Sequence, residues 1–86
     1  MDKVYLVVLE FEEKWVDESQ REIRCTTTLE KAKEIFKEVV EQEKKDTWVG
    51  EYEEDDFNDY TEEDDYFEAR SDDYTTIIYI KEVGVE

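Results

Sequence analysis

The chain contains no histidine. That excludes Ser-His-Asp and Cys-His catalysis and removes the commonest metal ligand. Proline is absent too, and glycine occurs only at Gly50 and Gly84. Turns must then rely on Asp, Asn and Ser, and no Gly-rich loop exists to cradle a phosphate. Cys25 is the single cysteine, so no intramolecular disulfide can form. Its expected role is a small buried apolar residue. Arg24 is adjacent but would point to the opposite face of a strand, so nothing clearly activates the thiol. No apolar run is long enough to span a membrane, and strand-like sequence follows Met1 at once, without a signal peptide. A cytoplasmic protein is expected. Bases are scarce as well: 11 Lys and Arg stand against 28 Asp and Glu, a net charge of −17.

That charge is the main functional clue. It argues against a bare nucleic-acid binder, which needs Lys and Arg for phosphate contacts, and against an anionic membrane surface. It favours a basic partner, attracted over long range in a salt-dependent way. The alternative is that acidity only keeps a small protein soluble. With 86 residues, the chain is one domain with one small core, burying about 60–70% of the surface its unfolded form exposes. An enclosed active site would use much of that core, so an enzyme is not expected, and neither is a cofactor.

One stretch organises the chain. In TTLEKAKEIFKEVVEQEKK, Thr27 to Lys45, the residues Leu29, Ala32, Ile35, Phe36, Val39 and Val40 share one stripe at three- and four-residue spacing. This predicts a helix over 28–45. Thr27 followed by Glu30 fits a capping box. Glu30 suits the positive end of the helix dipole, and Lys44 and Lys45 the negative end.

Strands flank the helix. KVYLVVLEFEE, from Lys3, points Tyr5, Val7, Leu9 and Phe11 one way and Val4, Leu6 and Val8 the other. A strand apolar on both sides belongs in the middle of a sheet. A turn at Asp17 to Ser19, with Trp15 and Val16 near the bend, leads to a second strand over 20–26. Ile23 and Cys25 are expected to face in, and Glu22 and Arg24 out. YTTIIYIKEV, Tyr74 to Val83, is again apolar on both sides, and is expected beside the first strand. Trp48 and Val49 are expected to dock the corner after the helix onto the core. The fold class read from this is α+β: a mostly antiparallel sheet of about four strands with one long helix on one face, ββαββ-like. The single domain 1–86 divides into a hairpin over 3–26, the helix, an acidic segment over 51–73 and a last strand over 74–83. The open sheet face is either shielded by aromatics of the acidic segment or buried in a homodimer.

The acidic segment EYEEDDFNDYTEEDDYFEARSDD holds thirteen acids and one base, so it carries −12 of the −17. Part of it reads either as a short helix from Thr61 or as a strand from Tyr66 to Arg70 entering a turn at Ser71 to Asp73. A calcium loop fails on spacing: from Asp56 the sixth position is Thr61 and the twelfth Phe67, and from Asp59 they are Asp64 and Arg70. A glycosidase needs acids facing each other across a cleft, whereas these sit in a run. The candidate partner-binding residues are Glu51, Glu53, Glu54, Asp55, Asp56, Asp59, Glu62, Glu63, Asp64 and Asp65, with Tyr52, Phe57 and Tyr60 among them. The aromatics either fasten the run to the core or take part in binding. The carboxylates would imitate a row of phosphates and compete for Arg and Lys of a nucleic-acid-binding protein. The other reading is a small assembly protein, homodimeric through its open sheet face, with acidity serving solubility only.

Small, acidic, histidine-free chains of this kind resemble DNA-mimic proteins of phages and mobile elements, such as uracil-DNA glycosylase inhibitors and anti-CRISPR proteins. Trp48 to Asp59, WVGEYEEDDFND, resembles the acidic segment of a type II-A anti-CRISPR family. The resemblance implies that Glu51 to Asp59 would face the arginines with which an RNA-guided nuclease reads its PAM.

Overall fold

Strands that are apolar on both sides are expected at the centre of a sheet, and the first and last strands lie there. The computed structural model describes residues 2–13, 19–46, 48–51 and 56–85, with the side chains of 2, 19, 48, 51 and 85 excepted. Within them, β1 (Asp2–Glu13) and β5 (Tyr74–Val85) pair antiparallel along their whole length. β2 (Ser19–Thr26) flanks β1, and β4 (Tyr66–Arg70) flanks β5. A fifth strand, β3 (Asp59–Glu62), closes the far edge. The order is β2-β1-β5-β4-β3, every pair antiparallel. The fold is therefore α+β with one strand more than the sequence suggests.

The extra strand replaces the expected short helix at Thr61. A helix there would carry Tyr60 away from the core. As a strand, β3 sets Tyr60 opposite Ala69 and Glu62 opposite Phe67. The alternative reading of Tyr66 to Arg70, a strand entering a turn, is the observed one. The Ser71 hydroxyl accepts from the amides of Asp73 and Tyr74 at 3.3 and 3.1 Å, the short-range bonding that lets Ser turn a chain without glycine.

Helix α1 (Leu29–Asp46) crosses one face. Ala32, Phe36 and Val40 are buried there, with Ile35 and Val39 packed beside them. They meet Val7 of β1, Phe67 and Ala69 of β4, and Ile78 of β5, which form one cluster with Val49. Strand alternation explains the membership: register sets Val7 opposite Ile80 and Leu9 opposite Ile78, and partners in an antiparallel pair point to the same side. At Ala32 and Ala69, both fully buried, small side chains leave room between the layers. Leu29, at one end of the stripe, stays 42% exposed.

The cap sits one residue later than the spacing suggests. The Thr28 hydroxyl accepts from the Lys31 amide at 3.2 Å, and the Thr28 carbonyl accepts from the Ala32 amide at 3.0 Å. Thr26 still pairs with Tyr5 in the sheet, so Thr27 is used by the bend and Thr28 is the first residue free to cap. The third helical position is then Lys31, and the capping box is not completed by Glu30. After α1 comes a 3-10 turn, Trp48–Glu51, which buries Val49. Gly50 is required here by close approach. A Cβ at this position would lie 1.8 Å from the Lys44 carbonyl oxygen, inside any allowed contact.

The second strand is inverted relative to expectation. Register pairs Ile23 with Val8 and Cys25 with Leu6, whose side chains point away from α1. Ile23 is 49% exposed and Cys25 is exposed as well. Cys25 is therefore not a core residue. Glu22 and Arg24 share the helix side of the sheet but stay exposed at its outer edge. The turn expected at Asp17 to Ser19, and Trp15 and Val16 beside it, lie outside the described residues.

Candidate interaction surface: the acidic hairpin

The β3–β4 hairpin carries the described part of the acidic run, and three ties hold it. Aromatic packing is the first. Phe57 and Tyr60 have ring centroids 5.2 Å apart, and Tyr60 meets Phe67 edge-on at 5.6 Å. Since Phe67 is fully buried beneath the helix, these rings fasten the run to the core, each pair worth about 0.5–1.5 kcal/mol beyond its buried area. Backbone bonds make the second tie. The Glu63 amide donates to the Tyr66 carbonyl at 2.8 Å, and the Ile80 amide donates to the Asp65 carbonyl at 3.1 Å. At the opposite end the Asn58 amide donates to the Arg70 carbonyl, and Asn58 Nδ2 to Asp72 Oδ1, each at 2.8 Å.

The third tie is electrostatic. Lys44, in the last turn of α1, donates to Glu62, and the Tyr60 hydroxyl donates to the same carboxylate at 3.0 Å. The Lys44 ammonium also lies 5.9 Å from the Phe67 ring centroid. Lys44's hydrogen bond, set against partial burial, holds the Glu62 carboxyl below its usual range. Burial works against the Lys44 charge, but Glu62 and Tyr60 together raise its pKa above the usual value. Burial first, then Glu62, pushes the Tyr60 phenol up. The pair is more than a third exposed on both sides, so its net contribution is at most about 1 kcal/mol. Its effect is to fix where the hairpin lies more than to stabilise the fold. A second such group lies across the sheet. Glu68 accepts from the Tyr66 hydroxyl and from Arg70 Nε. The Tyr66 bond, then Arg70, lowers the Glu68 pKa and raises those of its partners.

The carboxylates do not form one row. Asp59 and Glu62 are three residues apart on β3, so they project from opposite faces. Glu62, Glu63, Asp64 and Asp65 gather at the hairpin tip. Asp56, Asp59, Asp72 and Asp73 gather at its other end, where Asn58 bridges to Asp72. Along β3 the two groups come within three residues of each other, Asp59 to Glu62, about 10 Å. Asp56, Asp59 and Glu62 to Asp65 are all exposed, while Phe57 and Tyr60 are half-buried. Of the remaining candidates, the side chain of Glu51 and all of Tyr52, Glu53, Glu54 and Asp55 lie outside the described residues. So does the side chain of Trp48.

The structure adds a basic counterpart that reading the acids alone misses. Lys33, Lys37 and Lys44 share one flank of α1 and line a cleft of about 370 Å³ with Phe36 and Val40. Glu62, Glu63 and Asp64 line it from the hairpin. The signal was present in the four- and seven-residue spacing of the lysines, which places them on one side of a helix. Asp72 and Asp73 are the other addition, brought to the hairpin by the turn before β5. Among the described residues, no group of three or more Cys, Asp and Glu is placed to hold a metal ion, and no helix is long and apolar enough to cross a membrane. The chain matches no protein-family model, no curated protein and no solved structure.

Proposed function

We propose that this protein is an acidic inhibitor that occupies the basic site of a nucleic-acid-binding protein, offering the β3–β4 hairpin where a duplex backbone would lie. The observation that carries this reading is charge density on a fixed support. From Asp56 to Asp73 there are nine acids and one base, a net of −8 on 18 residues, held on a hairpin of four- and five-residue strands. Duplex DNA likewise presents a dense run of charge, one per about 1.7 Å. Because aromatic, backbone and Lys44 ties already hold the hairpin, its carboxylates meet a partner with little ordering cost. Two groups with a gap between them suit a pair of cationic patches better than a single line of arginines.

On this reading the protein is not an enzyme, binds no nucleic acid itself and acts in the cytoplasm. Anti-defence proteins of phages and mobile elements, the anti-CRISPR kind included, are the functional class it fits. The test is capture from a bacterial lysate on the immobilised protein at 50 and 500 mM salt, with duplex DNA as competitor. Nucleic-acid-binding proteins should be retained at low salt and displaced by DNA. A variant with Asp56, Asp59, Asp64 and Asp65 all changed to Lys should retain none of them. Equal capture by that variant, folded by circular dichroism, overturns the proposal.

A further inference from the structure

The acidity avoids one surface. The sheet face opposite α1 is laid out by register in rows. Ile23, Val8, Tyr79 and Tyr66 form one row across four strands. Cys25 and Leu6 with Lys81, then Val4 with Val83, extend it toward the start of β1. On the other side Arg21, Glu10, Ile77 and Glu68 form a row, followed by Glu12, Thr75, Arg70 and Asp59. The described side chains on this face therefore carry Arg21, Arg70 and Lys81 against Glu10, Glu12, Glu68 and Asp59, a net of −1 on a chain of −17. Glu10 and Glu68 are further matched within the face, by Arg21 at 3.5 Å and by Arg70. Val8, at its centre, is fully buried, Leu6, Ile77 and Tyr79 around it are half-buried, and Ile23 at its outer strand is exposed.

We infer that this face binds a second copy of the chain, forming a two-fold dimer with the two sheets face to face. Charge supports a copy as the occupant. Two molecules of −17 repel wherever their acidic edges approach, and this face, like α1 with its six acids and five bases, is a surface on which they meet nearly neutral. It holds both signs, so a two-fold axis can set cations of one copy against carboxylates of the other. Area supports it too. Five strands at about 4.8 Å spacing and up to twelve residues at about 3.3 Å give roughly 600–750 Å², close to the roughly 800 Å² per partner of a standard interface. Packed sheets of this kind lie about 10 Å apart, with their strands about 30° off parallel. The hairpin lends Asp59, Glu68 and Arg70 to this face, but the acids of its tip, Glu62 to Asp65, stand outside the rows, so the inference does not depend on the inhibitor reading.

Sedimentation equilibrium between 5 and 200 µM, at 50 and 500 mM NaCl, tests it. The expected result is a dimer that tightens at the higher salt, because screening removes residual repulsion while apolar burial persists. Ile23→Glu alters a half-exposed residue at the sheet's outer strand, so the fold should tolerate it. It should weaken dimerisation at least tenfold, as should Lys81→Glu. Leu29→Glu, on the helix side, should change nothing. A wild-type monomer at 200 µM in both salts overturns the inference and leaves the face to a different protein. So does an undiminished dimer of a folded Ile23→Glu variant.

Discussion

The acidic hairpin and the sheet face opposite the helix are built from neighbouring strands, yet they differ in every property that governs association. The hairpin holds nine acids against one base, while the face, which includes one side of its own strands, is close to neutral. Glu68 and Arg70 of β4 belong to both regions and show how the partition is achieved: they bond to each other and turn a potentially acidic strand neutral on its inner side. The difference teaches that net charge describes this protein poorly. Charge is sorted by strand position, so one molecule can attract basic partners at an edge and still admit a copy of itself on a face. The salt dependences of the two events should have opposite signs.

The comparison breaks most severely at Phe67, the fully buried ring under Tyr60. Phe67→Ala should cost about 3–5 kcal/mol, read as a drop in urea midpoint, and should release the hairpin while β1 and β5 still pair. Next in size is the fourfold charge reversal of Asp56, Asp59, Asp64 and Asp65. Binding to a basic partner should fall at least a hundredfold, about 2.7 kcal/mol. Dimerisation should change far less, and through Asp59 alone, because it is the one reversed residue that shares the sheet face with Arg70. Gly50→Ala should cost about 1–3 kcal/mol, since a methyl group there meets the Lys44 carbonyl. That perturbation falls where the chain leaves the helix for the acidic run, so thermal unfolding should shift while the sheet face keeps its dimer.

The smallest effect expected is that of Glu62→Gln. The folded-state pKa of Glu62 is depressed, so its contribution is present above the unfolded value and lost as pH falls through the folded one. Wild type and variant should differ by under about 1 kcal/mol at pH 7 and low salt. The difference should vanish below the ordinary carboxylate range near 4.5. A gap that persists once Glu62 itself is protonated would show that Lys44 does not orient the hairpin through charge.

The helix and the two long strands were legible because each has redundant signals. Ala32, Phe36 and Val40 recur at fixed spacing, and β1 and β5 are apolar on both sides. What was not legible turns on parity. A strand's side chains alternate, so a shift of one residue in register exchanges its faces. That choice put Ile23 and Cys25 on the side away from α1, and it was made by pairing with Val8 and Leu6 rather than by anything within β2. The same parity divided Asp59 from Glu62. β3 itself escaped notice because in DYTE only Tyr60 advertises a buried side. The site was readable as a concentration of charge, but not as two groups, because their separation is created by a hairpin turn and by Asp72 and Asp73 arriving from the next connection. The helix lysines were overlooked for a related reason: a flank of a helix acquires meaning only when the element facing it is known.

The ladder between β1 and β5 has a consequence for how the molecule assembles. Its rungs run from Asp2 with Val85 to Glu13 with Tyr74, joining positions more than sixty residues apart. No local hairpin can nucleate the centre of this sheet. On a ribosome, β1 can pair with β2 and receive α1 on one side, but its second edge must wait until the final strand has emerged. Folding should therefore be slow for so small a chain, in the millisecond-to-second range of non-local topologies, and the waiting strand is where a nascent-chain chaperone would be needed.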